Sequence, residues 1–205
     1  MVILNPYKNA QKRIYVERGI YFITVNTFER YPFFEEDVLC DLLVWEFNLC
    51  KVLKCFNLIA YKINPEHFHL MIQPIGKDNY SEIMRSIKTN TSRNINYVAG
   101  FTEKAGSRDP AFSVNKPLKK HFERVDELKS DMHAIYQSKI DYPKFQWQSS
   151  FHDHLIRNKS DLFAHVKYIE SQWVKHELPE NKFCMVNMNL VNEVIKDFDI
   201  KNDSK

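Results

Sequence analysis

The stretch GIYFITVNTF, residues 19–28, is rich in β-branched and aromatic residues and alternates apolar with polar side chains at its centre, a pattern that predicts a strand. The period then changes. In EEDVLCDLLVWEFNLCKVL (35–53), Leu39, Leu42, Leu43 and Phe47 recur at helical spacing behind an acidic first turn, as in an amphipathic helix. FNLIAYKI (56–63) and HFHLMIQP (67–74) read as strands, and the NPE between them is short enough to make them an antiparallel pair. NYSEIMRSIKTNTSRNINYV (79–98) reads as a second helix, with Ser81 as its cap. Residues 100–145 turn polar and proline-bearing, which predicts an insertion or lobe outside the core holding a helix near 123–139. SFHDHLIRN (150–158) is a further strand, and SDLFAHVKYIESQWVKHEL (160–178) a helix opened by Ser160 and stopped by Pro179. Its apolar stripe Leu162, Val166, Ile169 and Trp173 is the face expected to lie on the sheet.

The resulting order, β-α-β-β-α-(insertion)-β-α, is the split βαβ order of a ferredoxin-like, α+β fold: an antiparallel sheet with helices on one face. One domain is expected over 1–178, with the insertion at about 100–145 and a C-terminal tail at 179–205. With 205 residues, 44% of them hydrophobic and 14% aromatic, the chain can bury a proper core. Four glycines, eight prolines and no internal repeat exclude collagen-like and low-complexity classes. A net charge of +3 permits a nucleic-acid partner without requiring one. Cys40, Cys50, Cys55 and Cys184 show no C-x-x-C spacing and fit reduced thiols better than a disulfide framework. No apolar run approaches the roughly 18 residues of a membrane span, and the opening MVILNPYKNAQKR is too briefly apolar for a signal peptide. A soluble chain in the cytoplasm, with no membrane partner, is the expectation.

Candidate chemistry sits in NPEHFHLMIQP. On a strand His67, His69 and Met71 share one face while Phe68, Leu70 and Ile72 share the other. Two neutral imidazoles side by side suit a divalent metal, although half-exposed strand histidines held by hydrogen bonds would give the same pattern. On the 160–178 helix Tyr168 and Gln172, four apart, share a face about 100° from the apolar stripe. Alone they would read as a tyrosine at the core rim and a solvated glutamine.

Together the two regions carry a resemblance. NPEHFHLMIQP, followed far downstream by FQWQSSFHDHLIRNKSDLFAHVKYIESQW, resembles the single-tyrosine HUH transposases and in particular the REP-associated tyrosine transposases. In that family a Pro-x-His lead-in opens a His-hydrophobe-His strand, and a W-Q-x-x-[FY]-x-[DE]-H-x-I-R-[ND] phrase precedes a helix bearing Tyr-Ile-x-x-[Asn/Gln]. The resemblance implies an HUH endonuclease fold with His67, His69 and Gln172 as ligands of Mg²⁺ or Mn²⁺ and Tyr168 as the nucleophile. It implies a transposase or endonuclease that cleaves and rejoins single-stranded or hairpin DNA through a 5′-phosphotyrosine, associated with the bacterial nucleoid. Gln172 where the REP-associated group commonly has asparagine resembles the insertion-sequence branch, and Trp173 stands where that group has proline. Monomer and homodimer both stay open. So does a domesticated hairpin-binding protein that no longer cleaves.

Arg85, Lys88 and Arg93 on the second helix, Lys119, Lys120 and Arg124 in the insertion, and Arg157 after the last strand are candidates for DNA phosphates, or else a solvated basic surface. Phe22, Tyr61 and Trp147 could stack on bases or belong to the core. His152 and His154 repeat the His-x-His pattern within the family's strand phrase and are expected to be scaffold or DNA contacts, not a second metal site.

Overall fold

A computed structural model describes residues 13–103, 116–136 and 142–202. Strand β1 (Ile20–Asn26) leads into α1 (Asp37–Lys54), which is followed by β2 (Phe56–Asn64) and β3 (His67–Pro74). Helices α2 (Tyr80–Val98) and α3 (Lys116–Tyr136) come next, and then β4 (His152–Ile156) and α4 (Lys159–Lys175). The strands form one antiparallel sheet whose first four members run β4-β1-β3-β2, the ferredoxin-like order read from the sequence.

Alternation divides each strand between two cores. Tyr21, Ile23 and Val25 of β1 and Phe68, Leu70 and Ile72 of β3 face a large apolar core closed by α1 and α2, through residues such as Leu39, Leu42, Leu43, Phe47, Ile83, Met84 and Ile87. Ile20, Phe22, Ala60 and Met71 face a smaller core on the other side, against Leu162, Val166 and Ile169 of α4. The expected helices on one face are therefore α1 and α2, and the histidine face carries helices of its own.

Three expectations change. The 179–205 tail holds a fifth strand, β5 (Cys184–Val186), paired antiparallel with β2, and α5 (Met188–Asn202), whose Val191 and Val194 complete the smaller core. Its short apolar spacing gains a partner only when β2 is present as an edge. The 100–145 insertion is likewise part of the main core where it is described, because α3 lies on α1 and α2 and buries Val125, Leu128 and Met132. The exposed face of α3 carries Lys119, Lys120 and Glu123, and the helix begins at Lys116, with Pro117 in the first turn where a missing N–H is tolerated. Finally, the stripe of α4 continues from Ile169 into buried Gln172, not into Trp173.

The helix starts also differ from the expected caps. Asn79, not Ser81, caps α2, with its side-chain oxygen accepting from the N–H groups of Ser81 and Glu82 while Glu82 reaches back to the Asn79 N–H at 2.9 Å. Asn158, not Ser160, caps α4 by accepting from the Asp161 N–H at 2.9 Å. Asn79→Ala removes the side-chain half of the first arrangement, keeping the backbone N–H that Glu82 accepts from, and is expected to lower stability by about 1 kcal/mol in a urea melt, with the slope of the transition unchanged.

Candidate active site

Register places the chemistry. In the antiparallel ladder Thr24 and Lys62 flank His69, and Asn26 and Asn64 flank His67, so six polar side chains share one face at the centre of the sheet. Both histidines are buried, and α4 covers them. His67 Nε2 lies 3.1 Å from His69 Nε2, which lies 3.2 Å from Gln172 Oε1. The Tyr168 ring meets His69 edge-on, with centroids 5.2 Å apart, and also Phe22 at 5.8 Å. Its hydroxyl accepts from Lys175 Nζ at 3.3 Å, one helical segment further on. Gln172 is steadied by donating from Nε2 to the Tyr168 carbonyl oxygen at 3.3 Å.

The donor set fits a divalent cation. Glu66 Oε1 lies 3.0 Å from His67 Nδ1, and the carboxylate, held down to about 2 chiefly by that hydrogen bond, can only accept. The proton on His67 is therefore at Nδ1, and Nε2 presents a lone pair. Burial, then the neighbouring His67, pushes His69 down to about 3, so its ring is neutral at physiological pH. Thr24 Oγ1 lies 2.9 Å from His69 Nδ1, and with the ring proton donated there Nε2 is an acceptor too. Two ring nitrogens and an amide oxygen then face one another with lone pairs, an arrangement that a cation satisfies at once. Asn64 Nδ2 stands 3.0 Å from His67 Nε2, while the Asn64 Oδ1 is buried without a hydrogen-bond partner among the described residues.

Several of these groups carry no signal in the sequence on their own. Lys62 is almost wholly buried, donates to the Lys182 carbonyl oxygen, and has its pKa lowered by burial. Thr24 and Lys62 become neighbours of His69 only through strand register, whereas Asn64 and Glu66 could have been suspected from their places beside His67.

The other sequence candidates scatter. Lys88 is half-buried and donates to the carbonyl oxygens of Gln148 at 2.7 Å and Ser149 at 3.4 Å, which ties α2 to the segment entering β4. Arg85 and Arg93 are exposed on the same helix, and Arg85 shares an open groove with Arg13, Tyr15, Lys88 and Phe151. Lys119 and Lys120 are exposed on α3, in the layer on the far side of the sheet from the histidines, where Lys119 pairs with Glu123 at 3.9 Å. Arg124 pairs with Glu127 at 3.0 Å, and Arg157 is exposed where β4 gives way to α4. Phe22 and Trp147 are core residues, and Tyr61 packs its ring on Phe47. His154 stacks on His165, and both reach the Asp161 carboxylate, at 2.9 and 3.1 Å; His152 is exposed.

A split βαβ sheet with a His-hydrophobe-His strand at its centre and a tyrosine-bearing helix across it defines the class: an HUH-type, α+β protein. Residues 15–108 match the family described as "Transposase IS200 like", and this stretch holds the His-hydrophobe-His strand. A Haemophilus influenzae protein provisionally named REP-associated tyrosine transposase is 27% identical over 166 residues, which are 80% of this chain and 76% of that protein. Two solved structures are also similar. One, a REP-associated tyrosine transposase bound to a REP hairpin, aligns over 82% of this chain and 73% of its own at 22% identity and a TM-score of 0.45. The other, a Deinococcus radiodurans protein provisionally named a transposase, aligns over 79% and 96% at 13% identity and a TM-score of 0.41. No helix among the described residues is long and apolar enough to cross a membrane.

Proposed function

We propose that this chain cuts and rejoins single-stranded DNA beside a hairpin, by a metal-dependent strand transfer in which Tyr168 becomes bonded to a 5′ phosphate. The observation that carries the reading is the meeting of the Tyr168 ring with the His67, His69 and Gln172 cluster on one face of the sheet. A phosphodiester is displaced in line, so a nucleophile and a positive centre must be held on the same short stretch of backbone. The Tyr168 oxygen, having lost its proton to water, bonds to phosphorus as the bond from phosphorus to the 3′ oxygen breaks. The electron pair leaves on that oxygen, which takes up a proton. One phosphoester replaces another, and attack by a second 3′-hydroxyl reverses the step without a nucleotide cofactor.

Lys175, donating to the phenol oxygen, offers charge to the phosphate. A divalent cation held by His67, His69 and Gln172 would supply Lewis-acid charge for the phosphate oxygens. Glu66 and Thr24 orient the two imidazoles from behind. Arg85 and Arg93, exposed on α2, are our candidates for DNA phosphates distant from the reacting one.

The test is incubation of the purified chain with 3′-labelled hairpin oligonucleotides and Mg²⁺ or Mn²⁺, read on a denaturing gel. A slow, protease-sensitive band is expected, abolished by EDTA and reduced at least about tenfold in His69→Ala, as losing a metal-orienting group does elsewhere. A band undiminished by EDTA would reject the cation. Hairpin binding with no band under any condition would establish the non-cleaving binding protein instead.

A further inference from the structure

A second group of metal-capable side chains lies where β4 meets α4, apart from His67, His69 and Gln172. Asp161 and His165, four apart, share a face of α4. His154 reaches them from β4, where its partner across the sheet is Phe22, part of the small core that α4 covers. The His154 and His165 rings stack, with centroids 4.7 Å apart and planes inclined at 19°. Both address one carboxylate: His154 Nε2 lies 2.9 Å from Asp161 Oδ2, and His165 Nδ1 lies 3.1 Å from Oδ1. One ligand-capable atom from each of the three residues falls within 4.8 Å of the other two. The carboxylate is fixed by the Arg157 backbone N–H, which donates to Oδ2 at 3.0 Å, and the His165 ring by Phe22, with centroids 4.6 Å apart. The side chains of His154, Asp161 and His165 are 40%, 18% and 22% exposed, so the group is open to water on one side.

We propose that His154 Nε2, the Asp161 carboxylate and His165 Nδ1 form a Zn²⁺ site, with water in the remaining position. Two imidazoles and a carboxylate, reachable from solvent, are a set that zinc takes as three protein ligands plus a water. The two nitrogen donors set the site apart from one for Mg²⁺, which prefers oxygen ligands in octahedral array. Without the ion, the ring nitrogens that face Asp161 carry protons: His154 Nε2 donates to the carboxylate, and the His165 Nδ1–H is shared between the carboxylate and the Asp161 carbonyl oxygen at 2.9 Å. With the ion bound, each neutral ring carries its proton on the other nitrogen, so that the lone pairs face the metal. The ion then clasps the strand to the first two turns of α4, the helix that presents Tyr168 three residues past His165. Phe22 packs on both of those rings and couples them. His152 is exposed and takes no part; the ligands that a strand pair of histidines lacked come from α4. The competing role is a hydrogen-bonded cluster that fixes the start of α4 and binds no metal. The site shares no residue with the His67, His69 and Gln172 centre and does not depend on it.

Glutamine separates the two roles, because His154→Gln still offers an amide N–H to Asp161 and removes the imidazole lone pair. The measurement is calorimetric titration by Zn²⁺ of the chelator-stripped full chain, without DNA, for wild type, His154→Gln and His69→Ala. Wild type and His69→Ala are expected to share a Zn²⁺ equivalent that His154→Gln weakens at least about tenfold, as loss of even an outer partner of a metal site does. Because an ion bound to the folded chain raises its stability, saturating Zn²⁺ should also lift the thermal midpoint of wild type more than that of His154→Gln. The same Zn²⁺ equivalents with unchanged affinities in His154→Gln would overturn the proposal, as would failure of wild type to bind Zn²⁺. An equivalent lost in His69→Ala alone would overturn it too and leave the first centre standing. One lost in His154→Gln alone supports it and counts against the first centre. Should a variant melt early, the wild-type chain labelled with ¹⁵N-histidine decides: Zn²⁺ is expected to shift His154 Nε2 and His165 Nδ1, and unshifted signals at those two nitrogens overturn the proposal.

Discussion

Tyr168→Phe should abolish the covalent DNA adduct and strand cleavage together, to the background of the assay, while leaving hairpin binding intact. The substitution removes one oxygen, whose hydrogen-bond partner is the exposed Lys175, and keeps the ring that packs on Phe22 and His69. Stability should therefore change by no more than about 0.5 kcal/mol, visible as a nearly unmoved thermal midpoint. Binding should persist because affinity for DNA comes largely from backbone phosphate contacts made by other residues. The assay compares wild type and variant on one 3′-labelled hairpin, with a gel for the adduct and a filter or anisotropy measurement for binding. Persistence of the protease-sensitive band in Tyr168→Phe would reject Tyr168 as the nucleophile and direct attention to Tyr61, Tyr97 or Tyr136.

His121→Ala should be among the most destabilising single changes in the chain, although it lies in the helical layer far from the candidate site. Glu46 of α1 is fully buried, and its Oε1 accepts from Asn94 Nδ2 of α2 at 2.5 Å and meets His121 Nε2 of α3 at 3.1 Å. Three helices are thus joined through one carboxylate whose other oxygen has no hydrogen-bond partner among the described residues. Removing the histidine leaves a buried carboxylate with one partner fewer and a cavity beside it. The expected loss is roughly 2–5 kcal/mol, from the cavity left behind and from a buried acceptor that loses one of its partners. Replacing both partners with leucine should recover most of that loss, because the desolvated carboxylate goes with the imidazole. Urea melts of the two single variants and the double variant provide the cycle, and a His121→Ala midpoint close to wild type would show that the contact contributes little.

The helices and strands that bear the candidate site were legible because their periods are clean. His67 and His69 share a face by strand alternation alone, and their apolar neighbours Phe68, Leu70 and Ile72 had to face the core. The placement of Gln172 was less direct. As a glutamine one position before Trp173 it reads as solvent-facing, and only the imidazoles across from it make a buried amide favourable. The 100–145 segment misled because composition averages over both faces of a helix. Leu118, Val125, Leu128 and Met132 of α3 are buried, but the charged residues between them dominate the count.

By itself the sequence determined the order and kind of the elements, the antiparallel pairing across Pro65 and Glu66, and the two motifs that resemble those of the tyrosine transposases, since each rests on local period or short spacing. Tertiary structure alone decided the rest. Strand register set Thr24, Lys62 and Asn64 around the histidines, and the docking of α4 brought Tyr168 and Gln172 onto a strand about a hundred residues earlier in the chain. It also drew 184–202 into the sheet and the smaller core, through pairing with β2 and the burial of Val191 and Val194. These are contacts between segments distant in the chain, and their free energy depends on surfaces that exist only once the sheet has formed.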